Sequence, residues 1–222
     1  MDVRLRNSSG FSLVEILIAL LLAGSVSAAI YNVYISQNKS YAVQEQVAEM
    51  HQNLRAAMFM MTKEIRMAGY DPSREANAGI ATGAGNTIQF TMDIVGDGAI
   101  VVGDSEDITY VHYDSDGDGN KDALGRNPGG GIQLLAENID AINFVYLDAN
   151  GNTLPTPVAN PESIRTVQIT LVARADFRDP DFTNNTVYEN QRGDIILDMS
   201  AAPDNFRRKR LTTQIRCRNL GL

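Results

Sequence analysis

The chain has 222 residues, of which 44% are hydrophobic and 21% charged, so it can form a packed core and is neither wholly disordered nor collagen-like. Its formal net charge of -8 excludes a protein that binds nucleic acid over most of its surface, because phosphate binding needs basic patches. The single cysteine, Cys217, excludes an internal disulfide, and with only His51 and His112 beside it an ordinary zinc site is not expected.

An apolar segment follows a short basic leader at the N-terminus. Arg4 and Arg6 lie in the leader, and residues 16–38 contain no charged side chain. As a helix, the 21 residues from 11 to 31 would span roughly 31 Å at about 1.5 Å per residue, which is close to the hydrocarbon thickness of a bilayer. The segment is therefore predicted to cross a membrane, with the N-terminus on the cytoplasmic side and the remainder exported.

A cleavable secretory signal is the alternative interpretation of this segment. The small residues at 25–28 would then form the cleavage site. Glu15 argues against it, because a carboxylate inside an apolar run is unfavourable by a few kcal/mol and requires a cationic partner. The helical pattern also continues past the proposed cleavage site.

The pattern after residue 38 is that of an amphipathic helix. Apolar residues recur every three or four positions, at Val43, Val47, Met50, Leu54, Met58, Met61, Ile65 and Ala68. Gly69 and the pair Asp71-Pro72 supply a stop signal, and no proline occurs earlier. We therefore predict one helix over residues 11–68, apolar all round in its first half and amphipathic in its second.

The string Gly10-Phe11-Ser12-Leu13-Val14-Glu15, between a basic leader and an apolar helix, resembles the processing site of type IV prepilins and type II secretion pseudopilins. The resemblance implies that prepilin peptidase cleaves between Gly10 and Phe11 and methylates the new amine of Phe11. It also implies that Glu15 pairs with the N-terminal amine of a neighbouring subunit. Such pairing agrees with the physical argument, since a carboxylate is tolerated in an apolar bundle only against an opposite charge.

Shorter segments, at residues 63–72, 135–139 and 216–219, are similar to PilW-like minor pilins, which are relatives of J-type pseudopilins. Two differences from many major pilins favour a minor subunit: Asn32 stands where a helix-kinking proline is common, and the lone cysteine cannot close a C-terminal loop. The resemblance implies a non-enzymatic subunit of an initiating or tip complex that primes pilus assembly. A J-type pseudopilin of type II secretion is the alternative, and a DNA-uptake competence pilin a third.

The resemblance also implies partners and a location. The partners would be other minor pilins, the major pilin, prepilin peptidase and a tip adhesin, with nucleic acid disfavoured by the acidic composition. Before assembly the chain would be a single-pass inner-membrane protein with a cytoplasmic N-terminus. Afterwards it would lie in the periplasm or in a pilus at the cell surface.

We expect an α+β pilin fold with three segments. Residues 1–10 form the leader, residues 11–38 the membrane and assembly half of the helix, and residues 39–222 the exported domain. That domain combines helix 39–68 with a mostly antiparallel sheet over residues 87–217. Short β-branched runs between turn signals predict strands at 87–91, 99–102, 108–113, 132–135, 141–147, 165–173, 195–198 and 211–217.

An acidic loop has the spacing of a calcium site. Carboxylates alternate with small residues from 114 to 118, and Gly119 permits the turn that would bring their oxygens together. The predicted Ca²⁺ ligands are the side chains of Asp114, Asp116, Asp118 and Asp122 and the backbone carbonyl of Asn120. Gly125 occupies the position of the bidentate glutamate of an EF-hand, so that motif is rejected. A solvated acidic loop without an ion is the alternative. We call residues 114–122 the acidic loop.

Residues 207–210, Arg-Arg-Lys-Arg, form the one dense basic cluster in the sequence. They could bind DNA or anionic lipid, but a solvated turn and strand face, or a docking surface for an acidic neighbour, is favoured.

His112 lies in a predicted strand and is expected to be a structural residue. No pattern of acid, base and nucleophile indicates an enzyme.

Overall fold

The computed structural model describes residues 10–221, so residues 1–9 of the predicted leader lie outside the described part of the chain. One helix, α1, runs over Leu13–Met67, close to the predicted 11–68. It ends because Gly69 has a φ of 78°, a left-handed conformation that glycine adopts without strain. The chain forms two compact units, which divide between Glu45 and Gln46. The predicted export boundary near residue 38 stays a prediction.

The first unit contains the N-terminal part of α1. Its large apolar side chains are exposed around the whole helix, from Leu13 at 74% to Ile35 at 37%. By length and composition α1 can cross a membrane. A helix that exposes apolar groups on every side requires lipid or neighbouring chains around it, because water solvates such a surface poorly.

The second unit packs the amphipathic part of α1 against antiparallel sheets, as expected for a pilin fold. Its strands are β1 Ile80–Gly83, β2 Thr87–Thr91, β3 Asp107–Tyr113, β4 Ala123–Asn127, β5 Gln133–Ala136, β6 Ile139–Leu147, β7 Thr153–Leu154, β8 Thr166–Arg174, β9 Val187–Glu189, β10 Ile195–Asp198 and β11 Arg208–Arg216. A 3₁₀ turn, Pro161–Ser163, precedes β8. The strand orders are β1-β2-β3-β4-β5, β11-β8-β6-β7 and β10-β9.

One core joins the helix to the two larger sheets. Leu54, Met61 and Ile65 of α1 are at most 1% exposed, and they belong to the same buried cluster as Tyr110 of β3 and Phe144 of β6. The three helical residues follow the predicted stripe, so the spacing of apolar residues correctly identified the buried face. Strand β8 is buried on both faces over residues 169–173: Ile169, Leu171 and Ala173 belong to this core, and Val172 on the opposite face packs in a second cluster with Tyr188.

The strand predictions were wrong in two respects. Residues 99–102 form no strand, because they belong to a loop in which a buried carboxylate, Glu106, binds the backbone amide of Val101 at 2.9 Å. Four strands, β1, β4, β7 and β9, were not predicted, and the first of them extends the sheet to residue 80 instead of 87. These strands are short or, like β4 with its central Gly125, lack an alternating pattern of β-branched residues.

Candidate functional site

The bond between Gly10 and Phe11 lies outside the helix. Gly10 is exposed, and α1 begins only at Leu13, so the backbone at the predicted cleavage site is not engaged in helical hydrogen bonds. A Cβ atom added to Gly10 would have no described atom within 4 Å. The chain itself therefore does not require glycine at this position, and a requirement for glycine would come from an enzyme that binds the bond.

Glu15 and Ser12 form a reciprocal cap at the start of α1. The backbone amide of Glu15 donates to the Ser12 hydroxyl at 3.2 Å, and the backbone amide of Ser12 donates to the Glu15 carboxylate at 3.2 Å. This is a capping box, which satisfies amides that have no partner inside the helix. The sequence analysis assigned Glu15 to assembly alone and missed Ser12, although the spacing Ser-x-x-Glu was visible in the sequence.

The acidic loop brings three of its predicted calcium ligands together. One carboxylate oxygen from each of Asp114, Asp116 and Asp118 lies within 4.8 Å of the other two. The Asp114 carboxylate also accepts hydrogen bonds from the amides of Gly119, at 2.8 Å, and Gly117, at 2.7 Å. These two amides lower the pKa of Asp114, because they stabilise the ionised carboxylate.

The other two predicted calcium ligands, Asp122 and Asn120, make hydrogen bonds of their own within the acidic loop. Asp122 accepts hydrogen bonds from the amide and hydroxyl of Ser115, at 3.0 and 2.9 Å, and is not a member of the three-carboxylate group. Asn120 donates from its backbone amide to Asp118 at 2.7 Å. Coordination by these two residues stays a prediction.

Two acidic residues near this loop in sequence are stabilised without a cation. Asp93 and Glu106 are fully buried. Asp93 accepts from the amides of Gly96 and Gly98, and Glu106 from those of Val101, Val95 and Ile94. The amides of Val101 and Val95 are the main cause of a lowered pKa at Glu106. These two carboxylates are therefore stabilised by backbone amides of the chain itself.

Two of the four basic residues at 207–210 pair with carboxylates, and the expected exposure of the cluster is wrong for Arg208. Arg207 pairs with Asp179 at 2.7 Å. Arg208, whose side chain is 5% exposed, binds both oxygens of Asp204 at 2.6 Å and also pairs with Asp140. The arginines at 207 and 208 are therefore directed to carboxylates of the chain itself and not to a nucleic-acid phosphate.

His112 is a structural residue, as expected. It is 8% exposed, and a ring nitrogen lies 2.7 Å from the Ile139 carbonyl oxygen. Burial is the main cause of a lowered pKa for this imidazole. Its role is to satisfy a backbone carbonyl between β3 and β6.

A buried ionic group that the sequence analysis missed joins α1 to the five-stranded sheet. Arg126 of β4 donates from Nε and Nη2 to the two carboxylate oxygens of Glu64, each at 3.0 Å, and Tyr110 of β3 donates its hydroxyl to the same carboxylate. Burial, followed by the neighbouring carboxylate, raises the pKa of Tyr110. Glu64 and Arg126 are 62 positions apart, so no local pattern indicated the pair.

Comparison with known proteins bears mainly on the N-terminus. Residues 5–31 match the family model described as the prokaryotic N-terminal methylation motif. No curated protein sequence matches the chain. A solved structure of a type IV-like pilin from Thermus thermophilus is similar, with 16% identity, a TM-score of 0.46, and 77% of this chain and 98% of that chain covered. The match confirms the predicted prepilin-like motif at the N-terminus, and the chain that follows it forms one long helix packed in its second half on antiparallel sheets, the arrangement expected of a pilin fold.

Proposed function

We propose that the chain is a PilW-like minor pilin, a non-enzymatic subunit of an initiating or tip complex that primes assembly of a type IV pilus. The N-terminal methylation motif over residues 5–31 carries the proposal. Pilins as a family are structural proteins that assemble with other pilins and are processed by prepilin peptidase. The uninterrupted helix at Asn32 and the unpaired, buried Cys217 support a minor subunit over a major one.

Processing at the Gly10–Phe11 bond would change the charge of the N-terminus in two ways. It would remove the basic leader, and it would leave a cationic amine on Phe11. An exposed Glu15, held at the first turn of α1, would then supply the opposite charge for the amine of a neighbouring subunit. Inside a bundle of apolar helices, each charge is stable only because the other is near.

Deletion of the gene tests the pilus role directly. The expected result is loss or reduction of surface pili with normal secretion of exported enzymes. Normal piliation with defective enzyme secretion would contradict the proposal and support the J-type pseudopilin of type II secretion. The DNA-uptake alternative has less support, because Arg207 and Arg208 are paired with carboxylates. Replacing residues 207–210 by glutamine and measuring DNA binding would test it.

Two substitutions separate processing from assembly. Gly10→Glu should leave an uncleaved precursor in the membrane, detected by the mass of the purified chain. Glu15→Gln should be cleaved normally but should not assemble, because glutamine can still cap the helix yet has no negative charge for a neighbouring amine. An N-terminus at Ala28 would contradict the proposal and support a secretory signal. Assembly at the normal level with Glu15→Gln would show that charge pairing is not the role of this residue.

A second proposal concerns the acidic loop: it binds one Ca²⁺ ion through Asp114, Asp116 and Asp118, with Asp122 and Asn120 completing the site. The convergence of three carboxylates within 4.8 Å supports it. Oxygen ligands on a glycine-containing loop suit Ca²⁺, and extracellular sites of this kind bind at about 10⁻⁴ to 10⁻³ M. The test is thermal unfolding of residues 39–222 with millimolar calcium and with chelator. Unchanged melting would favour the solvated-loop alternative.

A further inference from the structure

A loop with exposed apolar side chains separates β2 from β3. Asp93 and Glu106 are buried in this loop and accept hydrogen bonds from five of its backbone amides, which stabilise the loop conformation. Four aliphatic side chains nevertheless lie on its surface, with exposures from 42 to 71%: Ile94, Val95, Val101 and Val102. A rigid apolar surface of this kind loses little conformational entropy on binding a partner.

The same loop surface is acidic. Asp97 and Asp104 are exposed beside the aliphatic side chains, and the segment from 93 to 106 contains no lysine or arginine. Within residues 10–221, neither carboxylate forms a salt bridge. We call this combination of Ile94, Val95, Val101, Val102, Asp97 and Asp104 the loop surface.

The exposed face of α1 in the second unit has the opposite charge. Phe59 is 73% exposed, although it is a large aromatic side chain in the middle of an otherwise polar face. Arg55 and Lys63 lie one turn before and after it, and Arg66 follows on the same face, since a helix advances by about 100° per residue. None of these three cations has a salt-bridge partner in the described part of the chain. We call these four residues the helix surface.

From these two surfaces we infer a contact between two copies of the chain, in which the loop surface of one copy docks on the helix surface of the next. The loop surface has four exposed aliphatic side chains and the helix surface one exposed aromatic ring, and the two surfaces carry opposite charges that form no salt bridge within residues 10–221. Pairing them would bury Phe59 against aliphatic side chains and place Lys63 and Arg66 near Asp97 and Asp104. Charge complementarity of this kind sets the orientation and the choice of partner more than it sets affinity.

The contact is heterologous, because the two copies contribute different surfaces. A heterologous contact leaves one loop surface and one helix surface free at the ends of a pair, so further copies of the chain can add to either end. It lies within the exported part of the chain. It does not depend on the proposed pilus role, nor on the contact that Glu15 would make in the membrane.

Cross-linking of the full-length chain in cells tests the contact. Two copies with different epitope tags are coexpressed, one with Phe59→Cys and the other with Val102→Cys, and a short bis-maleimide is added to membranes. The expected product carries both tags. The native Cys217 does not interfere, because it is 2% exposed and burial raises its pKa to about 12. Asn53→Cys is the matched control, since it is exposed on α1 about 120° away from Phe59.

Charge reversal then tests the orientation. Lys63→Glu with Arg66→Glu in the Phe59→Cys copy should abolish the product, as should Asp97→Lys with Asp104→Lys in the Val102→Cys copy. Combining the two reversed copies should restore it. A biotin-maleimide labels each cysteine separately and shows that every variant is present with its introduced thiol exposed, and absence of label on Cys217 in the parent chain shows that the fold protects buried thiols. Three results would each overturn the inference. They are equal amounts of product from Phe59→Cys and Asn53→Cys, a cross-linked product that carries only one of the two tags, and failure of the combined reversal to restore the product.

Discussion

Breaking the buried pair between Glu64 and Arg126 should destabilise the exported domain much more than breaking an exposed pair. Side-chain exposures are 16% for Glu64 and 10% for Arg126, and two hydrogen bonds of 3.0 Å join them. Removing one partner of such a pair leaves the other charge poorly solvated, which lowers the free energy of unfolding by about 3 to 5 kcal/mol. Both side chains retain some contact with water, so we expect about 3 kcal/mol for Glu64→Ala.

The carboxylate also accepts the hydroxyl hydrogen of Tyr110, a residue that is fully buried. Tyr110→Phe should therefore lower the free energy of unfolding by about 1.5 to 3 kcal/mol, the usual range for a hydrogen bond to a charged group. The measurement is urea unfolding of residues 39–222, followed by fluorescence or circular dichroism at neutral pH. This fragment includes the whole compact unit that begins at Gln46.

A double-mutant cycle isolates the interaction of Glu64 with Arg126. We expect a coupling energy of about 2 kcal/mol from Glu64→Ala, Arg126→Ala and the combined variant. The matched control is the pair Arg192 and Asp194, which are 3.9 Å apart with side chains 47% and 60% exposed. Its coupling should be about 0.2 to 0.5 kcal/mol, because water screens exposed charges. Equal coupling in the two cycles would refute the argument that burial makes the Glu64 pair strong.

Three further predictions concern pH, calcium and the helix start. The pKa of His112 is lowered in the folded state, so below the ordinary value of about 6.5 the unfolded chain binds a proton that the folded chain does not. The free energy of unfolding, measured by urea titration, should therefore decrease from pH 7 to pH 5. His112→Gln should remove the contribution of this histidine to the decrease. Millimolar calcium should raise the stability of residues 39–222 by about 1 kcal/mol, and Asp116→Ala with Asp118→Ala should abolish the change in melting temperature. Ser12→Ala should weaken the first turn of α1 by about 1 kcal/mol, seen as faster amide exchange there in detergent micelles, and unchanged exchange would contradict the capping role.

The N-terminal helix and the processing motif before it were predictable because their signals are local. Helical hydrogen bonds join residues four apart, so the spacing of Leu54, Met61 and Ile65 was sufficient to locate the buried face of α1. The processing motif around Gly10 is contiguous and was recognised from the same stretch of sequence. Pairing of Ser12 with Glu15 is equally local and could have been predicted from its spacing.

Tertiary structure decided the rest, because its determinants are far apart in the chain. Strand β4 forms between β3 and β5 although Gly125 interrupts any alternating pattern, and its Arg126 is buried only because α1 supplies Glu64. The loop after β2 is likewise determined by buried Glu106, which binds the amide of Val101 that a strand over residues 99–102 would have used for pairing. The sequence shows that such residues are charged. It does not show which group stabilises a buried charge, because that partner comes into contact only when the sheets and the helix pack together.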